Sequence, residues 1–402
     1  MRIIVTGQVG LDKKPYLNEV ASLAAAREGA GGSSGLHIYH IGDMMYREAP
    51  DVPPGRILDL PLARLNSLRR AVMRDVLSDM HRHRHVLINT HATFRWKHGL
   101  FSAFDFDQLA AFSADLYITL VDNIESIHQR MVRDHELEHS LKDLMVWREE
   151  EILATEICAR AHVLSQSPAS IASGTQAPAP KFFVLSRGRK NSTAETLYRL
   201  IFRPGMKKVY PSFPMTHVVD QPDVLAEVDA FRAAMAEKFI TFDPGDVDEK
   251  ILADQASQAA RIGQLFIEIP ALPTGMAGAG NAVAPAAKPP AYKLAVREVL
   301  DIAGDIDGQI YARDFILVRQ SDMIVSYIPE LPNGKPGLSS GVERELQHAH
   351  EHGKNVFVIW KPKKDPSPFI TQTANKVFPS VAEALQYFDQ KGFFTQHDLF
   401  GA

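Results

Sequence analysis

The sequence predicts an α/β fold built from two parallel sheets, each covered by crossover helices. Three observations predict it. Short, fully apolar runs alternate with amphipathic stretches along the whole chain, the pattern of buried parallel strands joined by helices. At 402 residues the chain holds two domains, each large enough to bury its own core. The turn Arg203-Pro204-Gly205 parts two such series, giving a first domain at 1–206 and a second at 207–402.

In the first domain, Arg2–Thr6 is an apolar strand ending in a glycine turn, and Tyr16–Arg27 a helix. Gly29–Gly35 is a Gly/Ser loop, and His37–Ile41 a second strand. Leu65, Leu68, Val72, Val76 and Met80 recur at helical spacing across Leu62–Met80. Val86–Asn89 and Leu116–Val121 read as buried strands, Ile124–Val132 and the charged stretch Leu137–His162 as helices. Ser165–Pro180 lacks periodicity and reads as a mobile loop before a strand at Lys181–Leu185 and a helix at Thr193–Phe202. In the second domain, strands are expected at Lys208–Pro211, Ile240–Phe242, Ile316–Val318, Met323–Ile328 and Asn355–Ile359. Helices are expected at Pro222–Phe239 and Val381–Phe388. The insert 270–291 is dominated by Ala, Gly and Pro and is expected to be disordered.

Composition narrows the function. A net charge of −4 offers no basic footprint for nucleic acid. The lone Cys158 excludes an internal disulfide framework and, set in an apolar pattern with Ile152 and Ile157, reads as a core thiol. No run is apolar enough to span a bilayer, and the N-terminus opens directly into a strand, so a soluble cytoplasmic protein with no membrane partner is expected.

The stretch Leu338-Ser339-Ser340-Gly341-Val342-Glu343-Arg344-Glu345 carries the most chemistry. Serine and glycine at a strand-to-helix turn expose backbone N–H groups to a ligand. Ser340 to Glu343 reads as a capping box, which gives Glu343 a structural task. Glu345 lies further in, off the core-facing series Val342, Leu346 and Ala349, and the positive helix end is expected to keep it ionised. A fixed carboxylate beside an anion-friendly turn suits attack on the anomeric carbon of a nucleoside or nucleotide.

Near the N-terminus, Gly7-Gln8-Val9-Gly10-Leu11-Asp12-Lys13-Lys14 has the outline of a phosphate-binding P-loop. Gly7 and Lys13 keep their spacing, but Asp12 stands in the last glycine's place and Lys14 in that of the magnesium-binding Ser/Thr. With Ile3-Ile4-Val5-Thr6, Gly42-Asp43-Met44-Met45, Asn89-Thr90-His91, Gly99-Leu100, Arg130, Arg133-Asp134 and Trp147-Arg148-Glu149, residues 1 to 200 resemble archaeal-type adenylate kinases. The resemblance implies a P-loop-kinase-like sheet, with Gly7, Gly10, Lys13, Asp43, Arg130 and Arg133 as nucleotide contacts and ATP and Mg²⁺ as cofactors. Asn89 replaces the family's acidic residue, so nucleotide binding without phosphoryl transfer is favoured.

The second half carries Lys208-Val209-Tyr210-Pro211-Ser212-Phe213-Pro214, Asp243-Pro244, Arg313-Asp314, Asp322, Ser340-Gly341 with Glu345, and Gly353-Lys354-Asn355-Val356. On these residues, 208 to 390 resemble the nucleoside 2-deoxyribosyltransferases. It implies a second Rossmann-like parallel sheet and Glu345 as the nucleophile. It also implies Asp314 and Asp322 protonating or orienting the base, and Tyr210, Ser212, Pro214, Asp243, Ser340 and Gly341 binding substrate. No cofactor is needed for that chemistry, and a homo-oligomer is implied. Ser339-Ser340 stand where the family carries an acidic residue, which with Lys335 favours a nucleotide over a nucleoside.

No metal site is expected. His81-Arg82-His83-Arg84-His85 sits where a helix gives way to a strand, its arginines repel a cation, and it reads as a solvated junction. His348 and His352 share a helix face and read as exposed polar residues. The expected function is cleavage or exchange of an N-glycosidic bond in a small-molecule nucleoside or nucleotide. Alternatives are an active nucleoside monophosphate kinase with a sensing second domain, a non-catalytic nucleotide-binding regulator, and an NAD-cleaving defence effector.

Overall fold

The structure, a computed structural model, describes residues 1–29, 35–96, 99–135, 139–164, 179–188, 192–215, 218, 220–272 and 291–394. Most of the expected loop 165–180 and insert 270–291 lies outside the described residues. In chain order the elements begin β1 (Arg2–Thr6), α1 (Lys13–Glu28), β2 (Leu36–His40), α2 (Ile41–Glu48), α3 (Leu62–Asp79) and β3 (His85–Asn89). Then come β4 (Thr93–Trp96), β5 (Gly99–Ser102), α4 (Phe106–Phe112), β6 (Leu116–Val121), α5 (Ile124–His135), α6 (Leu141–Leu164), β7 (Lys181–Ser186) and α7 (Ala194–Phe202). β8 (Lys208–Ser212), α8 (Pro222–Lys238), β9 (Ile240–Thr241), α9 (Lys250–Arg261), β10 (Phe266–Ile269), β11 (Tyr292–Ala295) and α10 (Val296–Asp301) follow. The series closes with α11 (Ala303–Gln320), β12 (Met323–Ile328), α12 (Ser340–Glu351), β13 (Asn355–Trp360), α13 (Pro368–Thr373), β14 (Lys376–Phe378) and α14 (Val381–Gln390).

The chain forms two compact units, Met1–Val184 with Asp248–Gly308, and Leu185–Val247 with Gln309–Ala402. By compactness, 185–206 goes with the second unit and 248–308 with the first, where the sequence reading draws one cut at 206/207. Each unit is α/β around a five-stranded parallel sheet, as the alternating pattern predicts.

The first sheet has the order β2-β3-β1-β6-β7. Its central strands are the apolar runs because both faces are covered: Ile3, Ile4, Val5, Leu87, Ile118 and Leu120 are all buried. α1 lays Tyr16, Leu17, Val20 and Ala24 against it, a helical stripe in which each large side chain contributes about 1.5–3 kcal/mol. Two glycines shape the turn after β1. Gly7 (φ +144°) and Gly10 (φ +83°) hold conformations that side chains rarely adopt, and a Cβ on Gly10 would lie 2.9 Å from Met131 Cγ. Gly10→Ala is therefore expected to lower unfolding free energy by about 2 kcal/mol or more in urea titration; an unchanged midpoint would mean that this turn relaxes freely.

The second sheet has the order β14-β13-β12-β8-β9. Val209, Val325, Tyr327, Phe357 and Ile359 pack against Phe231 and Met235 of α8 and Phe388 of α14. The strand expected at Ile316–Val318 is instead part of α11. Its buried residues, Ile306, Arg313, Asp314, Leu317 and Val318, recur at helical spacing, and a three-residue apolar run cannot distinguish the two states by itself. The capping box also shifts: Ser339, not Ser340, is the N-cap, its hydroxyl accepting from Val342 N–H at 3.3 Å.

Candidate functional site

In a parallel sheet, loops leaving the C-terminal strand ends carry the site, above all where the strand order reverses. In the second unit that reversal lies between β8 and β12, whose paired residues Ser212 and Ser326 stand at this edge. There the Tyr210 hydroxyl donates to Glu345 Oε1 at 2.9 Å, and the Ser212 hydroxyl donates to Oε2 at 2.6 Å. Glu345 comes from the second turn of α12 and is 8% exposed, so the expectation that it points away from the core is corrected. The expectation of an ionised carboxylate is corrected too. Burial, and then the charge of Asp314, push the Glu345 pKa up to about 8, against the pull of the two hydroxyl donors. Tyr210 is raised well above its usual range by burial, then by Asp314, Glu345 and Asp243.

Glu345, Tyr210, Ser212 and Asp314 are thus brought together, with Asp243 close enough to act on the tyrosine. Asp243 is held by Arg232 at 2.7 Å and by Gly245 N–H at 2.8 Å. Pro214 is buried in the loop after β8, while Ser340 and Gly341 are exposed at the start of α12. Asp322 stands apart. It accepts from Lys208 N–H at 2.8 Å at the opposite, N-terminal edge of the sheet, where it caps the paired strands. A strand-edge aspartate satisfying backbone is a structural device, so Asp322 is removed from the catalytic set.

In the first unit a cavity of about 350 Å³ opens at the C-terminal strand ends. The loop 8–14 forms one wall, His40–Asp43 another, Asn89-Thr90-His91 a third, and Met45, Ile57, Leu58 and Leu65 give it an apolar side. Lys13 is buried and donates to Gly7 O at 2.6 Å, with His91 Nδ1 3.2 Å away. Burial pushes its pKa down to about 7, against the attraction of Glu151. Lys14 is 2.5 Å from Asp43, and Asp12 sits in a left-handed conformation without a side-chain cap bond. Gly10, Lys13 and Asp43 line the cavity, and Gly7 bounds the loop. The two arginines are not among the lining residues: Arg130 pairs with Asp122 at 2.9 Å and reaches Gly10 O, and Arg133 chelates Asp134 at 2.6 and 2.8 Å.

Several contributors went unread in the sequence. Phe94 and Trp96 of the β4–β5 hairpin line the cavity, as do Tyr46 and Arg69. The alternation Thr93-Phe94-Arg95-Trp96 was the available signal for that hairpin. Glu151 gave none. Within a charged helical run it looks solvated, yet it is 1% exposed and accepts from the backbone N–H groups of Gly7, Ala92 and Thr93 at 2.7–2.9 Å.

These residues do not fit a catalytic Mg²⁺. A lysine ion-paired to Asp43 occupies the place of the magnesium hydroxyl, and Asn89, bonded to His40 Nδ1 at 2.9 Å, replaces the acidic residue. They do fit a nucleotide, with a lysine at the polar end of a partly apolar cavity.

No curated protein matches the chain in sequence. Among solved structures, that of the Deinococcus radiodurans tunicamycin resistance protein is similar at 9% identity and a TM-score of 0.25, covering 45% of this chain and 98% of that one. The AAA domain family (AAA_17) matches residues 6–148, which span the altered phosphate loop and the strands around the cavity. That match supports a P-loop, kinase-like nucleotide-binding reading of this stretch.

Proposed function

We propose that the second unit cleaves the N-glycosidic bond of a nucleotide, with Glu345 as nucleophile. The observation that carries this reading is a carboxyl gripped by two hydroxyls, Tyr210 and Ser212, where the strand order reverses. In the ionised form, a Glu345 oxygen attacks C1′, the bond from C1′ to the base nitrogen breaks, and the base leaves with its bonding pair and takes up a proton. Asp314, ionised beside Glu345 in this form, orients the base, and the departing base takes that proton from solvent water. Water then attacks C1′ of the glycosyl-enzyme and gives up a proton to the Asp314 carboxylate, breaking the ester bond, releasing the sugar and restoring the Glu345 carboxylate. Chromatography of free base from nucleosides, ribo- and deoxynucleotides and NAD⁺ tests the reading. Intact glycosidic bonds across the whole panel after long incubation would end it.

For the first unit we propose nucleotide binding without phosphoryl transfer, favoured by the cavity beside a phosphate loop that lacks its magnesium ligand. A bound phosphate would draw Lys13 off Gly7 O and restore its charge. Lys13→Met is expected to weaken nucleotide binding about tenfold or more, read as lost thermal stabilisation. Mg²⁺-dependent phosphate transfer from ATP that Lys13→Met abolishes would instead make this unit a working kinase.

A further inference from the structure

We propose that His37, Asp79 and His83 bind one divalent transition-metal ion of the zinc class. His37 is distant in sequence from Asp79 and His83 but meets them in the first unit, with one ligand atom of each within 4.8 Å of the others. His37 lies on the edge strand β2, Asp79 ends α3, and His83 sits in the turn leading to β3. Asp79 Oδ2 accepts from the Tyr39 hydroxyl at 2.7 Å and lies 3.4 Å from His83 Nε2. The carboxylate is thus already oriented by the tyrosine hydroxyl, as ligating carboxylates are by a hydrogen-bond donor behind them.

Chemistry selects the ion. Two imidazoles and one carboxylate suit Zn²⁺, Co²⁺ or Ni²⁺, whereas Mg²⁺ and Ca²⁺ call for oxygen ligands. Three protein ligands leave at least one position for water. The rings of His37 and His83 stack with centroids 4.1 Å apart and planes 10° from parallel. A metal needs their nitrogens rather than their faces, so binding turns one ring about χ2, a broad torsion in histidine. Arg82 opposes the ion from Asp79 Oδ1 at 3.0 Å, but its side chain is 80% exposed and free to swing into water. The carboxylate that makes the HRHRH run a metal site stands just before it, at the end of α3, and the second imidazole comes from another strand. The bound ion would pin the edge strand to the helix that precedes β3, at the sheet edge away from the cavity.

Calorimetric titration of the full-length protein with Zn²⁺, and with Mg²⁺ and Ca²⁺ as controls, tests this. One Zn²⁺ per chain is expected, with no Mg²⁺ or Ca²⁺ bound at these residues. Losing a hydrogen bond that orients a ligand costs about 10–100-fold in affinity, so Tyr39→Phe should weaken zinc about tenfold and His37→Ala or His83→Ala about 100-fold or more. His81→Ala, on an exposed residue outside the cluster, should change nothing. X-ray absorption on the zinc-loaded wild type needs no variant and should show two imidazole ligands. No saturable zinc binding, binding kept by His83→Ala, or a zinc spectrum without two imidazoles would overturn the proposal.

Discussion

Glu345→Gln is expected to lower base release by about 10³-fold or more, since the amide cannot form the glycosyl ester. The variant keeps the shape of the side chain, and one of the two hydroxyls can still donate to its carbonyl oxygen while the other accepts from its amide, so loss of rate would report chemistry rather than collapse of the pocket. A variant retaining a tenth of the wild-type rate would reduce Glu345 to a buried structural acid.

The pH profile gives the same site a second signature. With the Glu345 pKa near 8, about a tenth of the carboxyl is ionised at pH 7, and the rate should rise about tenfold between pH 7 and pH 9. Ser212→Ala removes a donor that favours the carboxylate, so its profile should move to higher pH. Stability runs the other way. The folded state holds a proton that the unfolded chain releases above pH 4.5, so the fold loses stability from about pH 4.5 up to about 8 and then levels off. Glu345→Gln lacks that loss. At pH 8 it should be more stable than wild type by on the order of 2–4 kcal/mol, with the difference vanishing near pH 4. An enzyme variant that is slower and more stable is the mark of a strained catalytic group.

Much of the framework was legible because parallel strands are buried on both faces. Leu116–Val121 and Met323–Ile328 are read to the residue, as uninterrupted apolar runs between turns. Ile316–Val318 failed for the same reason, since an equally apolar triplet occurs on the buried side of α11. The Glu345 site was legible by resemblance alone. Its partners lie 133 and 135 residues away, and no local pattern links Tyr210 and Ser212 to a helix that far along the chain. The protonation state was illegible for a further reason. The helix end acts on any acid near it, but the desolvation that outweighs it depends on which residues of other elements close over the carboxyl. Asp79 beside His83 shows the converse. The acidic residue was four positions away in sequence, and only the return of His37 on a neighbouring strand gives it meaning.

Glu249→Ala is expected to destabilise the first unit by about 3–5 kcal/mol. Glu249 is 0% exposed and makes a two-bonded pair with Arg148, itself 2% exposed, at 2.6 and 3.0 Å. Its Oε1 also accepts from Ile124 N–H at 2.8 Å, at the start of α5. Alanine would leave the Arg148 charge buried without its carboxylate and remove the acceptor of the Ile124 N–H. The effect measures the cost of breaking the pair, not what the pair adds. Arg148→Met combined with Glu249→Leu should therefore recover more than half of the loss, because neither residue then leaves a charge buried. Urea titration followed by tryptophan fluorescence reads the effect where it matters, since Trp96 and Trp147 both lie in this unit and Trp147 is fully buried. A loss near 1 kcal/mol would mean that solvent reaches the pair. A full loss would show that residues 248–308 fold with 1–184, because the two halves of this ion pair are 101 residues apart and come one from each of those segments of the first unit.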